Sequence, residues 1–362
     1  RPRWPHHWDF TMSGISFFIG IQSLLIFPYL MANYGGAAFL VPYCLFTVFI
    51  SFPLLFMDIS LGQFSSKGLL SCWECAPFFK GVGVAKLLMS LLYNVHFAVL
   101  VGWYAYYFTM SLFDPLPWAE CERFNATSGV CLDGDTLAGV LDQSAALANG
   151  LLTSGPYVFF SDSIGGKSWM ADIGTIGGIH WYIVIATLVV WILAFIVIAP
   201  GIKVFGKVWL YCIIDSIILQ LALLVRGVML EGGWEGVKQI MTPDWSVLKE
   251  KPRVWMYAFN QAVFSINFGL GGWSTLSSYN QFRRNYLWDA IVFVVMNVVW
   301  SLLSAITVFA FTSYLLRQTT VLFSGIGFSV LVIPEVVLTL PNPQVWSAVF
   351  YMLLLLTGFG TM

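Results

Sequence analysis

Apolar runs long enough to cross a lipid bilayer recur along this chain, with polar segments between them. Crossing a hydrocarbon core of roughly 30 Å takes about 20 helical residues. The pattern therefore predicts an all-α integral membrane protein with about eight transmembrane helices: 10–34, 37–63, 86–112, 181–200, 205–230, 254–280, 287–314 and 343–362. A further apolar run, 321–340, is interrupted by Gly and Pro. We interpret it as a re-entrant or loop helix, with a ninth span as the alternative.

Two of these spans carry polar and helix-breaking residues in their middle. They are Ser16, Gly20, Gln22, Ser23 and Pro28 in span one, and Gln261, Ser265, Asn267, Gly269, Gly271 and Gly272 in span six. Unpaired backbone groups are costly in lipid, so such segments survive inside protein or beside a cavity. One interpretation is local kinks with small residues for helix packing. The other is a pair of broken helices at equivalent places in two repeats, which is typical of a binding site at mid-membrane.

Composition and charge agree with a membrane protein that does not bind nucleic acid. Hydrophobic residues make up 59% of the chain and charged residues 10%, against about 25% charged in soluble domains. The net charge is −1, and the basic residues are scattered in loops. Lys and Arg precede span one and occupy alternate short loops: Arg1 and Arg3; Lys67, Lys80 and Lys86; Lys203 and Lys207; Arg283 and Arg284. Positive loops face the cytoplasm, so we expect a cytoplasmic N-terminus.

A long acidic loop, 114–180, then falls on the outer side of the membrane. It contains the sequon Asn125-Ala126-Thr127 between Cys121 and Cys131. A sequon that is used marks a glycosylated outer loop, and the oxidising side of the membrane makes a Cys121–Cys131 disulfide reasonable. The chain divides into residues 1–9, spans one to three in 10–113, this loop, and spans four to eight with loop helices in 181–362. The sequence contains neither a nucleophile–base pair nor a phosphate-binding glycine loop, so we do not expect an enzyme.

Several motifs resemble the neurotransmitter:sodium symporter family. They are Phe27-Pro28-Tyr29 with Tyr34-Gly35-Gly36 through Tyr43, Gly62-Gln63-Phe64, Pro115 to Trp118 ahead of the cysteines, and Gln261 through Asn280. The resemblance runs from Arg1 to Met362 and implies a leucine-transporter-like inverted-repeat fold with broken helices one and six. The family has twelve spans, so the resemblance implies an incomplete fold here, truncated after the eighth span.

The resemblance also implies two sodium sites and one chloride site. The first sodium site corresponds to Phe18, Ser23, Ser265 and Asn297, with Ser23 in place of the usual Asn. The second corresponds to Ser16, Ile19, Thr357 and Thr361, with Gly360 where a side-chain oxygen is usual. The chloride site corresponds to Tyr43, Gln261, Ser265, Asn297 and Ser301. Polar contacts within and between packed helices are the structural alternative for these residues.

Pocket and gate positions follow in the same way. The substrate pocket corresponds to Gly20, Phe97, Phe264, Asn267 and Leu270. Gly20 stands where monoamine carriers have Asp, and Phe97 where relatives have a Tyr, although simple aromatic packing is an alternative for Phe97. The cytoplasmic latch corresponds to Arg1 and Trp4, with Tyr279 as partner on span six, and residues 1–9 form the latch segment. Ile26 replaces the Arg of the outer gate.

We therefore expect a symporter of the plasma membrane that couples sodium and chloride ions (Na+ and Cl−) to uptake of an amino acid or amino-acid-like zwitterion. Its partners are the lipid bilayer and a small-molecule substrate. Two alternatives stay open. One is a transport-deficient paralogue or short isoform that binds full-length relatives in hetero-oligomers and regulates them. The chain could also form homo-oligomers. The other is an ion-leak channel through a poorly closed outer gate.

Overall fold

The computed structural model describes residues 2–119, 130–132, 152–165, 178–230, 232–316 and 327–362. Within these ranges, six helices are long and apolar enough to cross a membrane: Gly36–Ser65, Pro77–Met110, Trp181–Ile198, Ile202–Val228, Tyr286–Ser313 and Pro343–Thr361. The first of these includes 3-10 and π-helical turns, and the fifth continues as regular helix to Leu316. They correspond to spans two, three, four, five, seven and eight.

Span one is broken, as its composition predicts. It consists of His7–Phe18 and Gln22–Asn33, which meet at a bend of 46°. Its second half opens with a π-helical turn, Gln22–Ile26, and continues as the α-helix Phe27–Asn33. Counting this bent pair gives seven spans by length and composition.

Span six, the remaining one of the eight predicted spans, is also broken. The helix Arg253–Ser265 ends at an irregular segment, and the short helix Gly272–Ser277 follows. Asn267, Gly269 and Gly271 in this segment have φ values of 52°, 92° and 76°. The left-handed region is open to Gly and tolerated by Asn, and a continuous α-helix does not pass through it. The predicted interruption is therefore confirmed, and each half is too short to span alone.

Three π-helical turns are each followed two residues later by a proline. They are Gln22–Ile26 before Pro28, Thr47–Ser51 before Pro53, and Phe328–Val332 before Pro334. A proline ring clashes with the carbonyl four residues earlier in an α-helix, and a wider turn relieves that clash. Freed carbonyls near the third turn are satisfied by tyrosines: Tyr107 donates to Val330 at 3.2 Å and Tyr351 to Ser329 at 3.0 Å.

Shorter elements cap the bundle. The helices Gly233–Met241 and Val247–Glu250 follow span five, and Phe328–Val332 with Ile333–Leu338 precedes span eight. The last pair is too short to cross a membrane, which fits the loop-helix interpretation of 321–340. The long loop contains the helix Gly155–Phe160, and two three-residue strands, Val130–Leu132 and Leu152–Ser154, which pair in parallel. Short 3-10 turns at Ser71–Cys75 and Pro77–Phe79 connect spans two and three.

Span three begins earlier than the apolar pattern predicts, at Lys80 instead of Lys86. The charge pattern counts Lys86 among the loop residues, and this prediction is wrong. Lys86 is 6% exposed and lies inside the helix, where its ammonium group pairs with the Asp58 carboxylate of span two. A buried partner of opposite charge explains how an ionised residue enters an apolar bundle.

Apolar side chains cover the outside of the bundle as well as its core. On span four, Phe195 is 72% exposed and Ile196 57% exposed, while Val190 is buried. A helix that is apolar on all sides needs lipid around it. The chain is thus a multi-pass membrane protein, and its polar groups are concentrated where spans one, two, six and seven meet.

Candidate ion and substrate sites at the two broken helices

The breaks of spans one and six lie against each other. The Asn267 side-chain amide in the second break donates a hydrogen bond to the Phe17 carbonyl beside the first. Phe17 also packs edge-on against Trp273, with ring centroids 5.4 Å apart. The indole N–H of Trp273 spans its own break and donates to the Ile266 carbonyl at 2.5 Å. These contacts hold the irregular segments in place and leave other main-chain oxygens near them without helical partners.

A cluster of polar side chains from four spans lies beside the breaks. We call it the Asn297 cluster; its members are Ser23, Tyr43, Gln261, Ser265, Asn297 and Ser301, each at most 4% exposed. The Asn297 amide nitrogen donates to Ser265 Oγ at 2.8 Å and lies 3.4 Å from the Tyr43 hydroxyl. The Ser301 hydroxyl faces Tyr43 without forming a hydrogen bond of ordinary geometry. Tyr43, Ser265, Asn297 and Ser301, four of the residues predicted for the chloride site, thus lie together. Gln261 lies one helical turn before Ser265, and Ser23 lies on the turn of span one that packs against span seven.

Several polar atoms of this cluster have no hydrogen-bond partner within the described ranges: Ser23 Oγ, Gln261 Nε2, Asn297 Oδ1 and Ser301 Oγ. Buried polar groups are nearly always paired, so these atoms can take a ligand other than the described residues. The Ser23 and Asn297 oxygens are hard donors of the kind that a small cation prefers. The Gln261 amide and the Ser301 and Tyr43 hydroxyls offer hydrogens to an anion, and no carboxylate belongs to the cluster. Its chemistry fits one cation and one anion side by side.

The residues predicted for the second sodium site lie where span eight crosses the break of span one. A Cβ on Gly360 would come within 2.8 Å of Ser16 O and Oγ, and one on Gly20 within 2.8 Å of Thr361 Oγ1. The Thr357 and Thr361 hydroxyls donate within span eight, to Leu353 O at 2.8 Å and Thr357 O at 3.0 Å. Each hydroxyl oxygen keeps acceptor capacity toward a cation. Gly360 itself brings no oxygen beyond its backbone.

The predicted pocket residues are only partly brought together. Gly20, Asn267 and Leu270 lie at the breaks, and Leu270 lines a cavity of about 540 Å³ with Phe17 and Gly272. Phe97 is 4% exposed and stacks on Tyr93 at 5.1 Å, so its aromatic-packing role is real. Phe264 is 56% exposed and points away from the buried Ser265. Neither Phe97 nor Phe264 is among the cavity's lining residues.

Trp4 and Tyr279, both predicted for the latch, are in contact. The Trp4 backbone N–H donates to the Tyr279 carbonyl at 3.1 Å, and its indole N–H donates to Leu276 O at 3.1 Å. The two rings meet edge to face, with centroids 6.3 Å apart. Trp4 is 6% exposed, so the N-terminal segment is packed onto the second half of span six. Arg1 lies outside the described residues.

Comparisons with known proteins identify the family. The model of the sodium:neurotransmitter symporter family matches residues 1–362. The chain belongs to this family. The creatine transporter of Torpedo marmorata is 32% identical over 366 residues, covering 100% of this chain and 59% of that protein. The sodium- and chloride-dependent taurine transporter of Rattus norvegicus is 32% identical over 367 residues, covering 100% and 58%.

A solved structure of this fold agrees with the arrangement of the helices. The crystal structure of MhsT in complex with L-phenylalanine matches with a TM-score of 0.75 at 20% identity, covering 100% of this chain and 72% of that one. The likeness to MhsT shows the fold alone. Against the creatine and taurine transporters, the chain spans 58–59% of their length. The family match confirms the family that the motifs resemble.

Three residues of this family member that sequence reasoning missed form a network between span one and span seven. Arg284 donates to both Asp289 oxygens at 2.8 Å, to the His7 carbonyl at 2.8 Å and to Thr11 Oγ1 at 2.9 Å. Thr11 donates in turn to Asp289 at 2.8 Å. Arg284 was interpreted only as a positive loop charge, since nothing in the sequence joins it to Thr11, 273 positions away.

Sequence reasoning also missed an ion pair between spans two and three, although the sequence contained a signal for it. Asp58 interrupts the apolar run of span two, and an ionisable residue in a span predicts a buried partner. That partner is Lys86, whose ammonium also lies 5.3 Å from the centre of the Phe268 ring in the break of span six. The remaining loop predictions are not described: Cys121 and Asn125 lie outside the described residues, and for Cys131 only the backbone of its strand is described.

Proposed function

We propose that this chain carries the ion-binding half of a sodium- and chloride-coupled symporter of the plasma membrane. The observation that carries the proposal is the Asn297 cluster, in which buried oxygens and buried donors without partners lie beside two broken helices. A sodium ion accepts the Ser23, Ser265 and Asn297 oxygens with the Phe18 carbonyl. A chloride ion accepts hydrogens from Tyr43, Gln261 and Ser301. Asn297 and Ser265 touch both ions and so couple their binding.

The proposed substrate is an amino acid or a similar zwitterion with its own acidic group. Gly20 brings no carboxylate to the break of span one, so an amine cation lacks a counter-charge there. An acidic group on the substrate can instead meet sodium and the N-terminal end of a half-helix. The relatives named as creatine and taurine transporters are in keeping with this class.

The Trp4 end of the bundle is the proposed cytoplasmic face. Its short loops carry Lys67, Arg283 and Arg284, in agreement with the positive-inside rule. The cavity of about 540 Å³ is lined by Tyr279 and Thr275 from the second half of span six, so it lies toward this face. In the proposed cycle, ion binding stabilises one arrangement of the broken helices, and release follows when the Trp4–Tyr279 contact opens.

Thermal stability tests ion binding in the chain as it stands. The purified protein in lipid nanodiscs is heated in sodium chloride, choline chloride and sodium gluconate at equal ionic strength. We expect the highest melting temperature in sodium chloride, since ligands of the folded state stabilise it by mass action. Asn297→Leu removes the shared amide and should abolish the difference. Equal melting temperatures of the unaltered chain in all three salts would overturn the proposal.

A transport-deficient regulator of full-length relatives is the second candidate, and the packing at Gly360 favours it. A Cβ there would lie 2.8 Å from Ser16 O and Oγ, so span eight approaches span one closely, and position 360 itself brings no side-chain oxygen. A second sodium ion is then weakly held. Co-expression with a full-length relative distinguishes the two: a symporter shows sodium-dependent uptake of labelled taurine or creatine by itself, whereas a regulator co-purifies with the relative and changes only that protein's uptake.

A further inference from the structure

A second set of buried polar side chains lies between spans five and seven. The Gln220 amide nitrogen on span five donates to Thr307 Oγ1 on span seven at 2.9 Å. Gln220 is 1% exposed and Thr307 5% exposed. This hydrogen bond directs the Gln220 side chain into the contact between the two helices. Trp300, Ser304 and Thr307 follow at spacings of four and three residues, so they share the face of span seven that meets Gln220. We call Gln220, Trp300, Ser304 and Thr307 the span 5–7 seam.

The seam has more polar groups than the described chain can pair. Gln220 Oε1, Ser304 Oγ and Trp300 Nε1 have no hydrogen-bond partner within the described ranges. Ser304 is 0% exposed and Trp300 is 3% exposed. Three unpaired groups on two facing helices are unusual, because the interior of a protein leaves few polar atoms unsatisfied. A ligand that is not part of the chain accounts for all three.

The chemistry of the three groups selects the ligand. Gln220 Oε1 only accepts a hydrogen bond, Trp300 Nε1 only donates one, and the Ser304 hydroxyl does both. An anion would face the lone pairs of Gln220, and a cation would face the indole N–H. Water donates and accepts, and buried water commonly makes about three hydrogen bonds to such groups.

The seam is continuous with the Asn297 cluster. Asn297, Ser301 and Ser304 follow at spacings of four and three residues, so they share one face of span seven. Ser301 Oγ belongs to the cluster and also lacks a partner within the described ranges. We propose that the span 5–7 seam binds ordered water that reaches Ser301 and hydrates the ion cluster from the side of span five.

Radiolytic hydroxyl-radical footprinting tests for the water directly. X-ray irradiation of the whole chain in nanodiscs oxidises buried side chains that touch bound water, and mass spectrometry locates the oxidation. Trp273 is the internal control, since it is 1% exposed and its N–H is already bonded to Ile266. We expect Trp300 to be oxidised several-fold faster than Trp273. Equal protection of the two indoles would overturn the proposal.

Two substitutions assign the water to the seam. Ser304→Ala and Gln220→Leu each remove groups that hold it, so oxidation of Trp300 should fall toward the Trp273 rate. Ser216→Ala is the matched control on span five, because the Ser216 hydroxyl already bonds to Cys212 O at 2.8 Å. Oxidation of Trp300 that Ser304→Ala and Gln220→Leu leave unchanged would place its water elsewhere and overturn the assignment.

The link to ions rests on the proposed function and is measured separately. The chloride concentration that gives half of the thermal stabilisation should rise several-fold in Ser304→Ala and stay unchanged in Ser216→Ala. An unchanged value in Ser304→Ala would overturn the hydration of the cluster. If the unaltered chain gains no stability from sodium chloride, the proposed function fails, whereas the water site is still judged by footprinting.

Discussion

Arg284 and Asp289 are joined by two hydrogen bonds of 2.8 Å, and their side chains are 9% and 10% exposed. The same guanidinium group reaches the His7 carbonyl and the Thr11 hydroxyl, and it lies 4.8 Å from the centre of the Phe10 ring. The fork of one arginine therefore ties the first half of span one to the start of span seven. This connection lies at the same end of the bundle as the Trp4–Tyr279 contact.

Removing this arginine should weaken the fold. Arg284→Gln leaves the Asp289 carboxylate buried without its partner, and breaking such a pair costs about 3–5 kcal/mol of the free energy of unfolding. Arg284→Lys should lose less, since Lys keeps the charge without the planar fork. Thermal unfolding in nanodiscs measures both. The exposed neighbour Arg283 provides the control variant, Arg283→Gln. A loss of stability in Arg283→Gln as large as that in Arg284→Gln would contradict this account.

The contact between spans two and six depends on a glycine. A Cβ on Gly62 would lie 2.1 Å from Ser277 Oγ and 2.2 Å from the Ser274 carbonyl, and the carbonyl belongs to a helix that cannot turn aside. Gly62→Ala should therefore destabilise the protein by about 1–3 kcal/mol. Gly81→Ala meets nothing within 4 Å and should stay within about 0.5 kcal/mol of the unaltered chain. Equal unfolding temperatures for both variants would refute the close approach.

The anion at the Asn297 cluster should be replaceable by a fixed charge. Ser301 is 0% exposed, so a carboxylate at this position has the cluster's hydrogen donors as its nearest partners. Ser301→Glu should keep the stabilisation by sodium and lose the dependence on chloride. Ser301→Gln introduces the same volume without the charge. The interpretation is wrong if Ser301→Glu still melts lower in sodium gluconate than in sodium chloride.

One loop-helix carboxyl should make stability depend on pH. Glu335, on the loop helix before span eight, is half-buried, and desolvation raises its pKa from 4.5 to about 7. A raised carboxyl pKa means that the folded state holds the proton more tightly, so stability is fullest below about pH 4.5 and falls as the pH rises through about 7. The loss is at most about 3 kcal/mol. Melting temperatures between pH 5 and 8 should fall less in Glu335→Gln; parallel curves for the two proteins would contradict the shift.

The spans could be predicted from the sequence because lipid imposes one simple rule on length and polarity. The same rule exposed the two breaks, since Gly20, Gln22 and Ser23 in one span and Asn267 to Gly272 in another have no place in a lipid-facing helix. It misplaced Lys86, because a charge beside an apolar run looks like a loop residue until Asp58 is seen beneath it. Local pattern carries no information on partners in other helices.

In the candidate site, too, some residues could be predicted from the sequence and others depend on contacts between distant helices. Family position predicts Tyr43, Ser265 and Asn297 for one site, and in the structure hydrogen bonds join these three residues. The span 5–7 seam could not be predicted, because Gln220 and Thr307 are 87 positions apart and each is an ordinary residue of its span. Phe264 stays a prediction for the pocket, and its side chain is 56% exposed.

The proline that follows the π-helical turn of span one affects the rotation of the helical residues before it. A π turn accommodates one more residue than an α turn, and one residue turns a helix by about 100°. Pro28 thus fixes the rotation at which Gln22 and Ser23 face the rest of the bundle. An alanine in its place would permit the turn to tighten, and the Ser23 side chain would rotate by about 100° from its present direction. The proline ring, five residues along the chain, therefore sets the direction of a buried hydroxyl at the break of span one.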